Sequence, residues 1–506
     1  MRPLGTVSVL VGIASGLWAC GGGSPGGSSA SPPPQASPAA TATAEISTSA
    51  GTAINPGYGG YNLAMVWYGV SYRDANFRAA AAALSAGWLR FPAGTGSLAF
   101  DWTTGLSRPE WAARFVADAG TYDLLQGALA TSGGKGGDRI QDFAQLAAAL
   151  GAKAVLCVNA ATDTPQSAGA LAAWAKANGL NVTAYELTNE PYLYPDFFGG
   201  GADYAAKMKP YRNAIKAADP SAVVALFFKD GSGSWNTSLG SYSDHYWDAV
   251  VLHHYPAVSQ GTAFADAMSA MNADLQNAAE WITSEVIPKN PAGTKVLVSE
   301  FGPGGQTSPL PGSLYAGIYS AEYLTRLSVV PQMLHVGHHQ LCAENGINWT
   351  YNHTGEVVAA YNAGRTVDPT TYNWGFFPSA QVLGAAVANG ALKHAAQALA
   401  TTCSGGSTVH AGGLGEVAAL HAQAYAGADG REYLVVTNKG ASSETLLIRV
   451  NGTPVSETLN TSFVTGSDPA AVNSPANPSL VRTQSSTTGN PVTVPPYSVL
   501  RVDWGP

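Results

Sequence analysis

The sequence predicts an α/β protein, a (β/α)8 TIM barrel followed by an antiparallel β-sandwich, and three observations predict it. Short β-rich apolar runs alternate with longer alanine-rich helical patterns from about Tyr61 to Asn389, as in βα units that close on a parallel sheet. The runs number eight, which is the count a closed barrel needs. Beyond Asn389 the long helical patterns fade into short apolar runs separated by Gly, Asn, Ser and Pro, as in a sandwich.

The expected barrel strands are 61–66, 88–92, 154–159, 184–189, 222–228, 249–254, 296–300 and 333–338. Helices are expected at 74–85, 140–150, 167–177, 203–218, 263–286 and 313–328, where apolar residues recur at i, i+3 and i+4. The connection between the fifth and sixth strands holds little helix, and 104–132 reads as an inserted loop. In the sandwich, strands are expected at 417–425, 433–438, 444–450 and 491–503, with 44–46 as a candidate extra strand. No internal repeat is present. The barrel is thus expected to occupy 44–389 and the sandwich 390–506.

Ahead of them, a single basic residue, Arg2, precedes an apolar stretch from Val7 to Trp18. This is the layout of a secretory signal and is too short to span a bilayer as a mature helix. The ending Leu17-Trp18-Ala19-Cys20 resembles the bacterial lipobox, which implies cleavage before Cys20 and lipidation of its thiol. Residues 21–43 are mostly Gly, Ser, Pro and Ala and read as a flexible tether. An exported protein held to a membrane only through a lipid anchor is the expectation, either periplasmic or at the cell surface.

Only 11% of the 506 residues are charged and the formal net charge is -8. That leaves no basic field for nucleic acid or an anionic membrane surface, and a neutral partner reached by hydrogen bonds and stacking fits better. The four cysteines form no CxxC and no Cys/His cluster, so no metal site and no cofactor are expected, and disulfide pairing stays open.

In a barrel of this kind, chemistry is carried at the C-terminal strand ends. Two carboxylates stand there: Glu190 in AYELTNEP and Glu300 in KVLVSEFGP. Hydrolysis of a glycoside with retention needs two carboxyl groups about 5–5.5 Å apart, one to protonate the leaving oxygen and one to attack. Asn189-Glu190-Pro191 at the fourth strand end and Ser299-Glu300-Phe301 at the seventh resemble clan A of the glycoside hydrolases. The resemblance implies that Glu190 is the acid/base and Glu300 the nucleophile, with carbohydrate as the partner.

LRFPAGT, residues 89–95, resembles the second strand of the arabinofuranosidase, xylosidase and glucuronidase families and implies that Arg90 supports the nucleophile, although Ala93 stands where glycine is commoner. VLHHYP, residues 251–256, resembles the sixth strand of the heparanase and β-glucuronidase family, implying that Tyr255 hydrogen-bonds the nucleophile. VTVPPYSVLRVDW, residues 492–504, resembles the closing strands of these families' sandwich.

An adjacent guanidinium would keep Glu300 ionised, whereas Glu190 must hold a proton, which partial burial beside an anion favours. The clan resemblance implies that Asn189 donates to the sugar 2-hydroxyl. Strand alternation puts His253, not His254, on the face of Tyr255. Alternation also divides His335 and His339 from His338, which argues for polar lining over a metal site. The clan resemblance implies that Trp349, after the eighth strand, is an aromatic floor under the sugar, with Trp102, Tyr192 and Tyr194 as weaker candidates. The leading expectation is a β-glucuronidase- or heparanase-like retaining hydrolase. An α-L-arabinofuranosidase or β-xylosidase and a non-catalytic glycan-binding lipoprotein are the alternatives.

Overall fold

The structure, a computed structural model, describes residues 40–505 apart from 64–67, 109, 112–113, 115–118, 232, 306 and 344. The signal segment, Cys20 and most of the expected tether lie outside the described residues, as does the end of the expected first barrel strand.

Eight parallel strands close into a barrel: Gly59–Asn62, Trp88–Phe91, Lys153–Val158, Val182–Leu187, Val224–Phe227, Ala249–His254, Lys295–Phe301 and Met333–His339. Each is paired in parallel with the next, and the eighth returns to the first. The first strand begins two residues earlier than its apolar run suggests. Gly59 and Gly60 carry no side chain to show in a hydrophobic pattern, yet the space is needed: a Cβ on Gly60 would come within 2.6 Å of the Trp88 indole, and one on Gly337 within 2.4 Å. The fully buried indole lies between the first and eighth strands and donates to the Tyr58 carbonyl at 3.0 Å.

Several helices begin where short polar side chains cap them. Asp74, Thr164, Ser313 and Ser379 each accept the backbone N–H three residues on, which satisfies an otherwise orphaned donor. The 104–132 segment is not the bare loop expected. It holds the second strand of a small hairpin, Leu106–Ser107, and a helix, Ala119–Thr131, whose Leu125, Ala128 and Leu129 pack against Val357 and Ala360 of helix Thr354–Asn362. The two inserts bury each other, a tertiary partnership that neither stretch reveals alone.

The second sheet has ten strands among the described residues. Its strand Ala42–Ala53 takes in the end of the expected tether and lies between Ala395–Gly405, antiparallel, and Glu444–Val450, parallel. The sheet is therefore not purely antiparallel, because the chain lays down a central strand before it builds the barrel. One side of the sheet encloses Ile46, Leu399, Leu434, Leu446, Val492 and Trp504. The other side packs on helices Leu314–Leu327 and Ala380–Leu392, almost every residue of which is buried. Helices so largely apolar are stable only when covered on all sides, and their few polar residues must find partners within.

A buried charge pair crosses this interface. Glu322 Oε2 accepts from Lys439 Nζ at 2.6 Å and Thr437 Oγ1 at 2.7 Å, while Oε1 accepts from Arg326 Nε at 2.9 Å. Burial opposes the anion, but Lys439 and Arg326 outweigh it and hold the Glu322 carboxyl well below the usual range. Removing Lys439 would leave the buried Glu322 with the partly exposed Arg326 alone, so part of its charge goes uncompensated. Lys439→Met is therefore expected to lower stability by about 3 kcal/mol, read as an earlier urea midpoint with barrel and sandwich still unfolding together.

Candidate active site

The site is built around one fully buried cation at the barrel's C-terminal end. Arg90 points inward from the second strand with no exposed surface. Its Nε donates to Glu186 Oε2 at 2.5 Å, Nη1 pairs with Glu300 Oε1, and Nη2 donates to Asn189 Oδ1 at 2.9 Å. A planar guanidinium with several donors can serve three acceptors at once, and a charge this deep persists only when paired. The fourth and seventh strands are thereby tied across the barrel through the second.

Glu300, 5% exposed, has a different partner set on each oxygen. Oε1 accepts from Arg90 and from Asn62 Nδ2 at 2.8 Å, whereas Oε2 accepts from the Tyr255 hydroxyl at 2.8 Å. His253 Nδ1 and His339 Nδ1 each lie 3.6 Å from Oε2. Burial would raise this carboxyl, but His253, His339, Arg90 and the Tyr255 hydrogen bond outweigh it and bring it down to about 2. Arg90 and Tyr255 act at every pH, the histidines only when protonated, and burial disfavours the protonated form of His339.

Glu190 sits where the fourth strand leaves the sheet. Thr188 has φ +67° and Glu190 φ +43°, ψ +54°. Such left-handed conformations cost a non-glycine residue about 1–3 kcal/mol each and concentrate at functional sites. The turn sends Asn189 inward to Arg90 and Glu190 into the cleft, where Oε1 accepts from the Tyr192 hydroxyl at 3.0 Å. His253 Nδ1 lies 3.1 Å from Glu190 Oε1 and 3.6 Å from Glu300 Oε2. Sharing that nitrogen, the two carboxylate oxygens stand no farther apart than the sum of those distances, about 6.7 Å.

The neighbouring histidines divide by face. His253 is buried, with Nε2 3.2 Å from Ser299 Oγ. His254 turns outward between Asp230 and Asp274, 3.1 Å from each. Burial disfavours its charge, but the two aspartates overcome this and raise it to about 10. A group raised on folding stabilises fully below its unfolded value, about 6.5, and loses that contribution as pH climbs through its folded value. The stability gap between wild type and His254→Phe is accordingly expected to narrow from pH 6.5 towards pH 10, as followed by urea unfolding at stepped pH.

An open cleft of about 810 Å3 lies over these groups, with Tyr68, Glu190, Tyr255, His339, Gln340 and Asn345 among its lining. Trp349 does not line it. Only 8% exposed, it packs behind Tyr68 at 4.3 Å between ring centres and against Phe376, because the Ile347–Tyr351 and Gly375–Pro378 hairpin turns it inward. The aromatic wall facing the cleft is Tyr68. Trp102 is likewise turned away, its indole donating to Ser167, and Tyr194 packs beside Leu98 and Ala99.

The three histidines of the eighth strand go to three places. His335 meets Thr183 and Asn55, His338 meets Gln381, and only His339 reaches the site, 2.7 Å from Asn62 Nδ2. Among the described residues no three His, Cys, Asp or Glu side chains converge in a metal-binding group.

Glu186, Asn62 and Tyr68 were not singled out by the sequence. A carboxylate inside the apolar run AYEL was the available signal for Glu186, and Asn62 closes the first strand as Glu300 closes the seventh. Tyr68 follows the first strand with no motif around it.

No family model matches the chain, and no curated protein matches it by sequence. Solved structures do match. The GH51 arabinofuranosidase from Xanthomonas axonopodis pv. citri is 16% identical, with 92% of this chain and 100% of that one covered at a TM-score of 0.65. An α-L-arabinofuranosidase from Thermotoga maritima, in complex with arabinose, is 16% identical over 92% and 99% at 0.66. A family 44 xyloglucanase from Paenibacillus polymyxa is 15% identical over 92% and 99% at 0.54. The chain thus shares the fold of these arabinofuranosidases and this xyloglucanase along nearly its whole described length.

Proposed function

We propose that this protein is a retaining glycoside hydrolase in which Glu300 attacks the anomeric carbon and Glu190 is the acid/base. The observation that carries the reading is the pair of carboxylates from the fourth and seventh strands, bridged by His253 at no more than about 6.7 Å on the floor of the cleft. That distance accommodates the ~5–5.5 Å used for retention and falls short of most of the ~6.5–9.5 Å range used for inversion.

Glu300 Oε1 holds two donors and Oε2 one, and Oε2 is the oxygen nearer His253 and hence Glu190. Oε2 is therefore the attacking atom. As it bonds to the anomeric carbon, Glu190 gives its proton to the departing glycosidic oxygen. In the second half, Glu190 takes a proton from water, the resulting hydroxide adds to the anomeric carbon, and Glu300 leaves as carboxylate. Asn189 Oδ1 accepts from Arg90, which orients its amide N–H to donate to the sugar 2-hydroxyl.

For the sugar, a neutral α-L-arabinofuranoside is a better match than a glucuronide. A uronate calls for cationic donors, and no Lys or Arg side chain lines the described part of the cleft. Similarity in fold to two arabinofuranosidases supports the same choice.

The test is hydrolysis of nitrophenyl α-L-arabinofuranoside, β-xyloside, β-glucuronide and β-galactoside, with arabinoxylan and xyloglucan as polymers. Arabinofuranoside turnover is the expected result. Turnover of the glucuronide alone would return the sugar assignment to the glucuronidase reading. Silence on every substrate would leave a glycan-binding protein.

A further inference from the structure

We infer that Glu186 is a positioning residue for the nucleophile: by holding Nε of Arg90 it fixes the turn of the guanidinium, so that Nη2 stays on Asn189, Nη1 meets one oxygen of Glu300 and the other oxygen is left for attack. This rests on the reading of Glu300 as nucleophile.

Guanidinium and carboxylate, left to themselves, favour a two-pronged pair in which both oxygens are bound. Such a pair would need two neighbouring donors of Arg90 turned towards Glu300. Here the other donors are already committed: Nε to Glu186 Oε2 at 2.5 Å, and Nη2 to Asn189 Oδ1 at 2.9 Å, with Cys157 Sγ 3.5 Å away. Nη1 is what remains for Glu300, and it meets Oε1. Oε2 is left to the Tyr255 hydroxyl on the side of the cleft.

Glu186 is an expensive residue to keep in this place. It is fully buried, and its Oε1 has no hydrogen-bond partner, a condition that buried polar atoms seldom tolerate. A neutral side chain would avoid that cost. The carboxylate supplies something a neutral group does not, a second anion on the same cation, so that Glu300 receives only part of the attraction of Arg90 and stays more basic than it would alone. The other groups that face Glu300 are His253, His339, Tyr255, Asn62 and, across the cleft floor, Glu190.

Glu186→Gln keeps the volume and an acceptor for Nε while removing the charge. It is expected to fold, to lose about tenfold to a hundredfold in kcat/KM, and to move the acid limb of the kcat/KM profile down by about one pH unit while the alkaline limb stays in place. A fall in activity with both limbs unmoved would mark Glu186 as a structural residue only and overturn the proposal, as would an unchanged rate. Glu186→Ala lets the guanidinium turn, and its crystal structure is expected to show both oxygens of Glu300 on it, Nη2 having left Asn189. An Arg90 that stays in place with a single oxygen bound would also overturn the proposal. The crystal structure needs no turnover, so inactivity of the wild type on every glycoside would count against the proposed function and leave the role of Glu186 to be decided by Arg90 itself.

Discussion

Arg90→Met is expected to cost about 3–5 kcal/mol of stability, the range for breaking a buried ion pair by removing one partner. The reason is what it leaves behind: Glu186, with no exposed surface, and Glu300, 5% exposed, would face each other with no cation between them. Folded domains retain only about 5–15 kcal/mol in all, so the variant would sit near its unfolding threshold at neutral pH.

The same logic gives the pH dependence a sign. With Arg90 gone, burial and the neighbouring Glu186 raise the Glu300 carboxyl above its unfolded value, so the folded state binds more protons than the unfolded one. Stability of the variant should then rise as pH falls from 7 towards 5, where the wild type has nothing comparable to gain. Urea unfolding at both pH values reads this directly. A variant as stable as wild type at pH 7 would mean that the guanidinium is not the counter-ion it is taken to be.

Glu190→Ala is expected to separate the two halves of the reaction. General acid catalysis contributes about 10²–10⁴-fold, and the loss should fall on substrates with poor leaving groups. A dinitrophenyl glycoside departs without protonation, so its first step should survive while hydrolysis of the glycosyl–enzyme slows. Azide needs no general base, and its addition should restore turnover and yield the glycosyl azide. Equal losses for good and poor leaving groups would remove Glu190 from that role.

The sequence was most legible where periodicity and chemistry coincide. All eight barrel strands could be placed from their apolar runs, and Glu190 and Glu300 stood out as charged residues closing such runs. Alternation along a strand separated His253 from His254, because neighbours on an extended backbone face opposite ways. Trp349 shows the limit. Its ring follows the eighth strand as expected, but the hairpin it belongs to pairs with 375–378, a partner some thirty residues on, and that pairing turns the ring behind Tyr68. Asn62 and Glu186 were missed for a related reason: each matters through a contact made across the barrel, to Glu300 and to Arg90, which no local pattern encodes. The parallel insertion of Ala42–Ala53 into the second sheet is likewise a product of closure over some four hundred residues.

The central claim is that Glu300 forms a covalent bond to the sugar. The most direct measurement is mass analysis of the protein, intact and after digestion, following reaction with an activated 2-deoxy-2-fluoro analogue of the glycoside it hydrolyses, which slows breakdown of the intermediate more than its formation. A single glycosyl adduct on the peptide containing Glu300, absent in Glu300→Gln, is the result predicted. An adduct on another carboxylate, or no adduct together with a first-formed product of inverted anomeric configuration, would contradict it.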